Sequence, residues 1–216
     1  TELDRHGFQV HLHAIGDRAV RNALDAVEAA RTRNGMNDLR HTIAHLQVVQ
    51  PADVPRFAEL GVVANCQAYW AQSEPQMDEL TIPFLGQERA RLQYPFEAIR
   101  AAGARLAMGS DWAVTTADPL QQLEVAVNRV DPEHRGTPAF LAEFALSLPH
   151  ALEAFTLGSA YVNHDDAPDG AGVIEVGRRA DLVILDRDIT AENFGVAEGY
   201  LPIADATVVA TIAAGN

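Results

Sequence analysis

The stretch Val10-His11-Leu12-His13-Ala14-Ile15-Gly16-Asp17-Arg18-Ala19-Val20 decides the fold. It reads as a strand over residues 8–14, carries a histidine at its end, breaks at Gly16-Asp17 and passes into helical spacing. Asp17 is the expected helix N-cap. Ala19, Val20, Ala23, Leu24, Val27 and Ala30 then recur on one helical face until Asn34-Gly35 supplies a stop. A strand that feeds a helix in this way is one β/α unit.

The unit recurs outward. Residues 41–46 read as a second strand, followed by a helix over 51–60 that Gly61 ends. A third strand spans 62–67, a long segment runs to Gln93, and a helix over 95–102 is stopped by Gly103. Residues 105–111 make a fourth strand, and helices follow over 119–130 and 148–157. This alternation predicts an α/β fold with a parallel sheet. His13 and His45 lie 32 residues apart, and His45 and Asp111 lie 66 apart. A (β/α)₈ barrel allots roughly 31 residues to each unit, so these are one-unit and two-unit steps. A doubly wound open sheet would show the same alternation. No glycine-rich phosphate loop follows a strand, however, so the TIM barrel is the favoured expectation.

In a barrel the carboxyl ends of the strands converge, and His13, His45 and Asp111 are all predicted there. Two neutral imidazole nitrogens and one carboxylate suit zinc or a similar divalent ion. Either histidine alone could equally be an internal residue satisfied by hydrogen bonds; both at strand ends, in step with Asp111, favour metal. Ala107 and Gly109 are expected to share a face with Asp111 and leave room beside it. His11 reads as structural or as a support behind a ligand. His41 opens its strand and belongs at the opposite, stabilising end, and His6, His134, His150 and His164 read as surface or loop residues. Asn65 and Gln67 share a strand face near the mouth, and Gln67 is a candidate for a substrate hydrogen bond. Tyr69, Trp70 and Trp112 follow strand ends; they either pack under loops or, for Trp70 and Trp112 as substrate-binding candidates, wall an apolar pocket. Arg18 is a solvated first-turn arginine or meets a substrate carboxylate. The segment from Ala68 to Gln93 is longer than an ordinary loop and suits a cover over substrate.

Composition limits the partners. The 216 residues carry a net charge of −14 and are 48% hydrophobic, which describes a globular chain repelled by nucleic acid and anionic membrane. The single cysteine, Cys66, excludes an internal disulfide and fits a reducing, cytoplasmic compartment. Cys66 itself reads as a buried strand residue facing away from Gln67.

After residue 170 the pattern becomes strand-turn-strand: 172–176, then 180–186, then 206–213. The chain closes on Gly215-Asn216, a hairpin-turn dipeptide, where a partner strand is expected.

These segments resemble the amidohydrolase superfamily, and within it the amidohydrolase-3 branch of YtcJ-like proteins. His11-Leu12-His13-Ala14-Ile15-Gly16-Asp17-Arg18-Ala19 is similar to that branch's strand-five signature, which implies that His13 binds metal. Arg40-His41-Thr42-Ile43-Ala44-His45 resembles strand six, with His45 as the implied ligand. Gly109-Ser110-Asp111-Trp112 resembles the strand-eight motif, whose aspartate binds metal and handles the proton of the attacking water. Residues 177–186 are similar to the return from the barrel to a small β-sandwich. The family's strand-one His-x-His and a bridging residue near strand four, often lysine, have no counterpart here, and the chain contains no lysine.

The resemblance therefore implies the C-terminal half of a metal-dependent hydrolase of amide and other C–N bonds. Residues 1–168 would hold barrel strands five to eight and residues 169–216 part of the sandwich. One or two divalent ions, with zinc expected, would belong to the full-length protein. The isolated chain would be inactive, and its partners would be a small-molecule amide substrate and its own N-terminal half or a second copy. A non-catalytic module that binds a complementary polypeptide is the alternative.

Overall fold

The computed structural model describes residues 1–190 and 200–216. They form two compact units, one of residues 1–67 and 74–108, the other of residues 68–73 and 109–216.

The first unit begins with α1 (Glu2–Arg5) and is built on β1 (His11–Ala14), β2 (Thr42–His45), β3 (Val63–Cys66) and β4 (Leu106–Met108). These pair in the order β1-β2-β3-β4, every pair parallel, with Leu12 opposite Ile43 and Ala44 opposite Asn65. The expected α/β class with a parallel sheet is what these residues form. Helix α2 (Asp17–Asn34) returns the chain from β1 to β2, burying Val20, Ala23, Leu24, Val27 and Ala30. Its cap differs from expectation. Gly16 occupies the N-cap in extended backbone, which places Asp17 at the first helical residue. There its carboxylate accepts from the Arg18 N–H at 2.9 Å and from Gln50 Nε2 at 2.7 Å. Helix α3 (Val54–Leu60) ends on Gly61 at φ 64°, the left-handed position that glycine takes without a Cβ penalty.

The segment after β3 holds three short helices, α4 (Pro75–Leu80), α5 (Ile82–Leu85) and α6 (Gln87–Ala90), before α7 (Phe96–Ala101). Its return is pinned to the chain after β2: Tyr94 N–H donates to Gln47 O at 2.7 Å, and Gln47 Nε2 to Gln93 Oε1 at 2.8 Å. At the amino ends of the strands His41 is buried, with Nδ1 accepting from Val10 N–H at 3.1 Å and Nε2 2.9 Å from Asp4 Oδ2. Asp4 also takes hydrogen bonds from Asn37 and Asn34 and pairs with Arg31. These partners tie α1 to α2 and β2, the stabilising role expected of His41.

The second unit carries α8 (Pro119–Asn128), α9 (Leu148–Glu153), a π-helical turn at residues 154–158, α10 (Ser159–Val162), and an antiparallel pair, β5 (Leu182–Leu185) with β6 (Val208–Ile212). Asp118 caps α8 by accepting from Leu120 N–H at 2.9 Å. The helix stops two residues before the expected Val130, because Arg129 turns left-handed at φ 57° and buries its guanidinium against Phe140 O. The strand expected over 172–176 is not formed. Gly172 sits at φ 93°, and a Cβ there would meet Leu157 Cα at 2.8 Å. Close packing against the helical segment therefore bends the chain, leaving Ile174 and Val176 exposed and unpaired in any ladder. The terminal turn does form. Ala214 and Gly215 are both at positive φ, and Ala213 and Asn216 exchange backbone hydrogen bonds of 3.1 and 3.0 Å, the signature of a type I′ turn. Among the described residues no helix is long and apolar enough to cross a membrane.

Candidate functional site

His13 and His45 are brought together. Leu12–Ile43 and Ala14–His45 pairing sets the carboxyl ends of β1 and β2 side by side, and the two imidazoles meet edge to face with centroids 4.5 Å apart. His13 is exposed and His45 is buried at 5% exposure, so the pair lies between solvent and the core.

His45 does not have ordinary strand geometry. Its φ is 75°, that of Leu46 is 56°, and Leu46 N–H closes a three-residue turn onto Ala44 O at 3.1 Å while also donating to Ala14 O at 3.0 Å. A β-strand side chain is normally directed by the pleat; here a left-handed residue redirects it, at a cost of roughly 1–2 kcal/mol. Neighbours over-determine the strained turn. The β2–β3 ladder ends at Ala44–Asn65, and the next amide, His45 N–H, is taken by Gln67 Oε1 at 2.8 Å, with Gln67 Nε2 donating to Asn65 Oδ1 at 3.0 Å. Gln67 is 4% exposed, so the residue proposed from sequence for substrate spends its amide on holding the histidine's backbone. Nothing in the sequence near His45 signals the turn, since no glycine or asparagine follows it.

His11 is exposed, as His13 is, and its Nδ1 lies 2.8 Å from Thr42 Oγ1. Cys66 is buried, as expected. His6, His134 and His164 are exposed, and His150 lies on α9, where Nδ1 meets Ser147 Oγ at 2.9 Å.

Asp111 belongs to the second unit. The fourth strand ends at Met108, three residues before it, so the expected alternation of Ala107, Gly109 and Asp111 along one strand face does not extend that far. Gly109 and Ser110 leave the ladder, and Asp111 is exposed at φ 56°, a conformation aspartate tolerates better than most residues. It opens a turn closed by Val114 N–H onto Asp111 O at 2.8 Å, and Trp112 N–H donates to Ser110 Oγ at 3.1 Å. Trp112 is 73% exposed, while Trp70 is half-buried in a short 3₁₀ turn over residues 68–70.

The His13–His45 pair fits two neighbouring ligand positions of one borderline-soft divalent ion, because both donors are imidazole nitrogens on adjacent strand ends. Among the described residues no group of three or more histidine, cysteine, aspartate or glutamate side chains is gathered as a metal site.

The amidohydrolase family matches residues 1–216. Protein LONG AFTER FAR-RED 3 of Arabidopsis thaliana is 34% identical over 84% of the chain and 30% of its own length. The amidohydrolase YtcJ of Bacillus subtilis is 28% identical over 84% of the chain and 33% of its own length. The crystal structure of an uncharacterized metal-dependent hydrolase from Pyrococcus horikoshii superposes with a TM-score of 0.69 at 29% identity, covering 84% of this chain and 34% of that one. The chain thus spans about a third of the length of these relatives. With the parallel sheet, the paired strand-end histidines and a match along every residue, this chain belongs to the amidohydrolase family, among its YtcJ-like members.

Proposed function

We propose that this chain is the C-terminal part of a metal-dependent hydrolase of amide and related C–N bonds. Residues 1–168 would contribute strands five to eight of a TIM barrel and residues 169–216 part of a β-sandwich. The observation that carries the reading is the His13–His45 pair, rings 4.5 Å apart, with His45 held in a strained turn by Gln67. Strain of this kind persists where function requires a side chain to be re-aimed.

His13 and His45 would hold the ion through ring nitrogens, and Asp111 would join them as the anionic ligand. When bound, a divalent ion polarises a carbonyl and makes water nucleophilic near neutral pH. Asp111 would accept the water proton on a carboxylate oxygen and deliver it to the departing nitrogen, which is general acid–base work. Trp70 and Trp112 would face the apolar part of the substrate. Zinc suits the nitrogen-rich donor set, and one or two ions would serve the full-length protein.

The remaining polypeptide, its own N-terminal half or a second copy, would complete the sheet: β1 and β4 are edge strands in the observed order. The chain alone would then be inactive, and a single cysteine, Cys66, would suit a reducing, cytoplasmic compartment. The test is metal analysis of the full-length protein together with hydrolysis of N-acyl amino acids and cyclic amides. Bound divalent metal that is lost from His13→Ala and His45→Ala, with turnover abolished in Asp111→Asn, is the expected result. Metal and turnover retained in all three variants would exclude this site.

A further inference from the structure

A groove at the carboxyl ends of β1 and β2 contains a cation that the proposed chemistry leaves unused. We propose that this groove is an anion subsite in which Arg18 engages the carboxylate of an N-acyl amino acid; the assignment of a substrate class rests on the hydrolase reading above. The groove encloses about 380 Å³ and is lined by Asp17, Arg18, Arg21 and Gln50. That volume lies in the small-ligand range of roughly 300–1,000 Å³. All four residues follow β1 or β2 in the chain, past the same carboxyl ends that carry His13 and His45.

The side chains around the groove differ in what they have left to offer. Asp17 receives Gln50 Nε2 and the Arg18 N–H, and Arg21 Nε bonds the buried Asp53 carboxylate at 3.0 Å. Arg18 is exposed, and among the described residues its guanidinium has no hydrogen bond or ion pair to another side chain. In the same unit Arg5, Arg21, Arg31, Arg40, Arg56 and Arg100 meet carboxylates, whereas Arg18, like Arg33 and Arg91, is left without one among the described residues; of these three only Arg18 lines the groove. The positive end of the 18-residue α2 adds to the local potential. The neighbouring Asp17 carboxylate penalises a dianion, so a phosphate is disfavoured. A planar monoanion fits the guanidinium fork. A carboxylate is the ligand that satisfies both.

The experiment uses full-length protein and two probes of similar shape, N-acetylglycine and the neutral N-isobutylacetamide, with equilibrium binding measured by NMR titration and hydrolysis measured separately. Arg18→Gln should weaken N-acetylglycine binding at least tenfold relative to N-isobutylacetamide, with Arg18→Lys recovering part of the loss. Arg33→Gln, near the exposed far end of α2, is the control and should change neither probe. An unchanged preference between the probes in Arg18→Gln, or equal weakening of both, overturns the subsite. A charge preference that depends on Arg18 without hydrolysis of either probe supports the subsite while removing the hydrolase reading. Hydrolysis that ignores the carboxylate does the reverse.

Discussion

At His45 the direction of a side chain is set by backbone strain and one glutamine amide. Gln67→Ala would leave His45 N–H buried without its acceptor and the left-handed turn unsupported. Partners that orient a ligand typically contribute 10–100-fold in metal affinity; if His45 is a ligand, this variant of the full-length protein should bind divalent metal about tenfold more weakly, as read by chelator competition. If Asp111 moves the proton, Asp111→Asn should lower kcat by about 10²–10⁴-fold while bound substrate is retained. The Asp4 carboxylate supplies a pH dependence. Hydrogen bonds from Asn37, then Asn34 and His41, outweigh the opposing burial and hold it well below the usual aspartate range. Its folded value lies below its unfolded one, so its stabilisation is fully present above the unfolded value of about 3.9 and is lost as pH falls below it. Chemical denaturation of the wild-type protein should show stability falling below about pH 4. Asp4→Asn should flatten that fall and cost about 3 kcal/mol at neutral pH by unpairing Arg31 and His41.

At the scale of elements, the β/α units were legible because α2 and the strands carry unambiguous periodicity, and because Gly35, Gly61 and Gly103 punctuate them. The ends were less legible. Residues 105–111 read as one strand because Gly109 and Ser110 do not contradict an extended run; the ladder stops at Met108 because pairing, not propensity, decides a strand end. Residues 172–176 alternate as a strand does, yet Gly172 is there to approach Leu157 and Ala160. Of the candidate site, the neighbourhood of His13 and His45 was readable. The turn at His45 was not, since it is imposed by Ala14, Ala44 and Gln67 rather than by a local motif. Caps offer a direct check. Asp118→Ala removes the acceptor for Leu120 N–H and should lower stability by about 1 kcal/mol in urea denaturation, whereas Asp17→Ala removes no cap.

At the scale of the whole molecule, surface composition is divided. The net charge of −14 favours solubility, yet the β5–β6 pair exposes Val183, Ile184, Val208 and Val209. Apolar surface taken from water contributes about 25 cal/mol per Å², so a few hundred Å² is worth several kcal/mol toward association. Purified chain at micromolar concentration should therefore self-associate in light scattering, and a Val183→Lys/Val209→Lys double substitution should reduce that association. Within the second unit, Glu124 is fully buried and accepts from Arg135 Nε and Nη2 at 3.0 Å, from Ala204 N–H at 2.6 Å and from the Tyr200 hydroxyl. One carboxylate thus tethers residues 200–204 to α8.

The bond from His45 N–H to Gln67 has a further consequence in the time domain. Beyond the last rung of the β2–β3 ladder, this amide proton would exchange with deuterium whenever its acceptor swings away, without any strand having to separate. Its exchange clock is therefore that of one side chain, while those of Ile43 and Ala44 follow the opening of the sheet. In an isotope-exchange spectrum His45 becomes a resident stopwatch for the positioning of the adjacent imidazole, readable in the resting protein before any substrate is added.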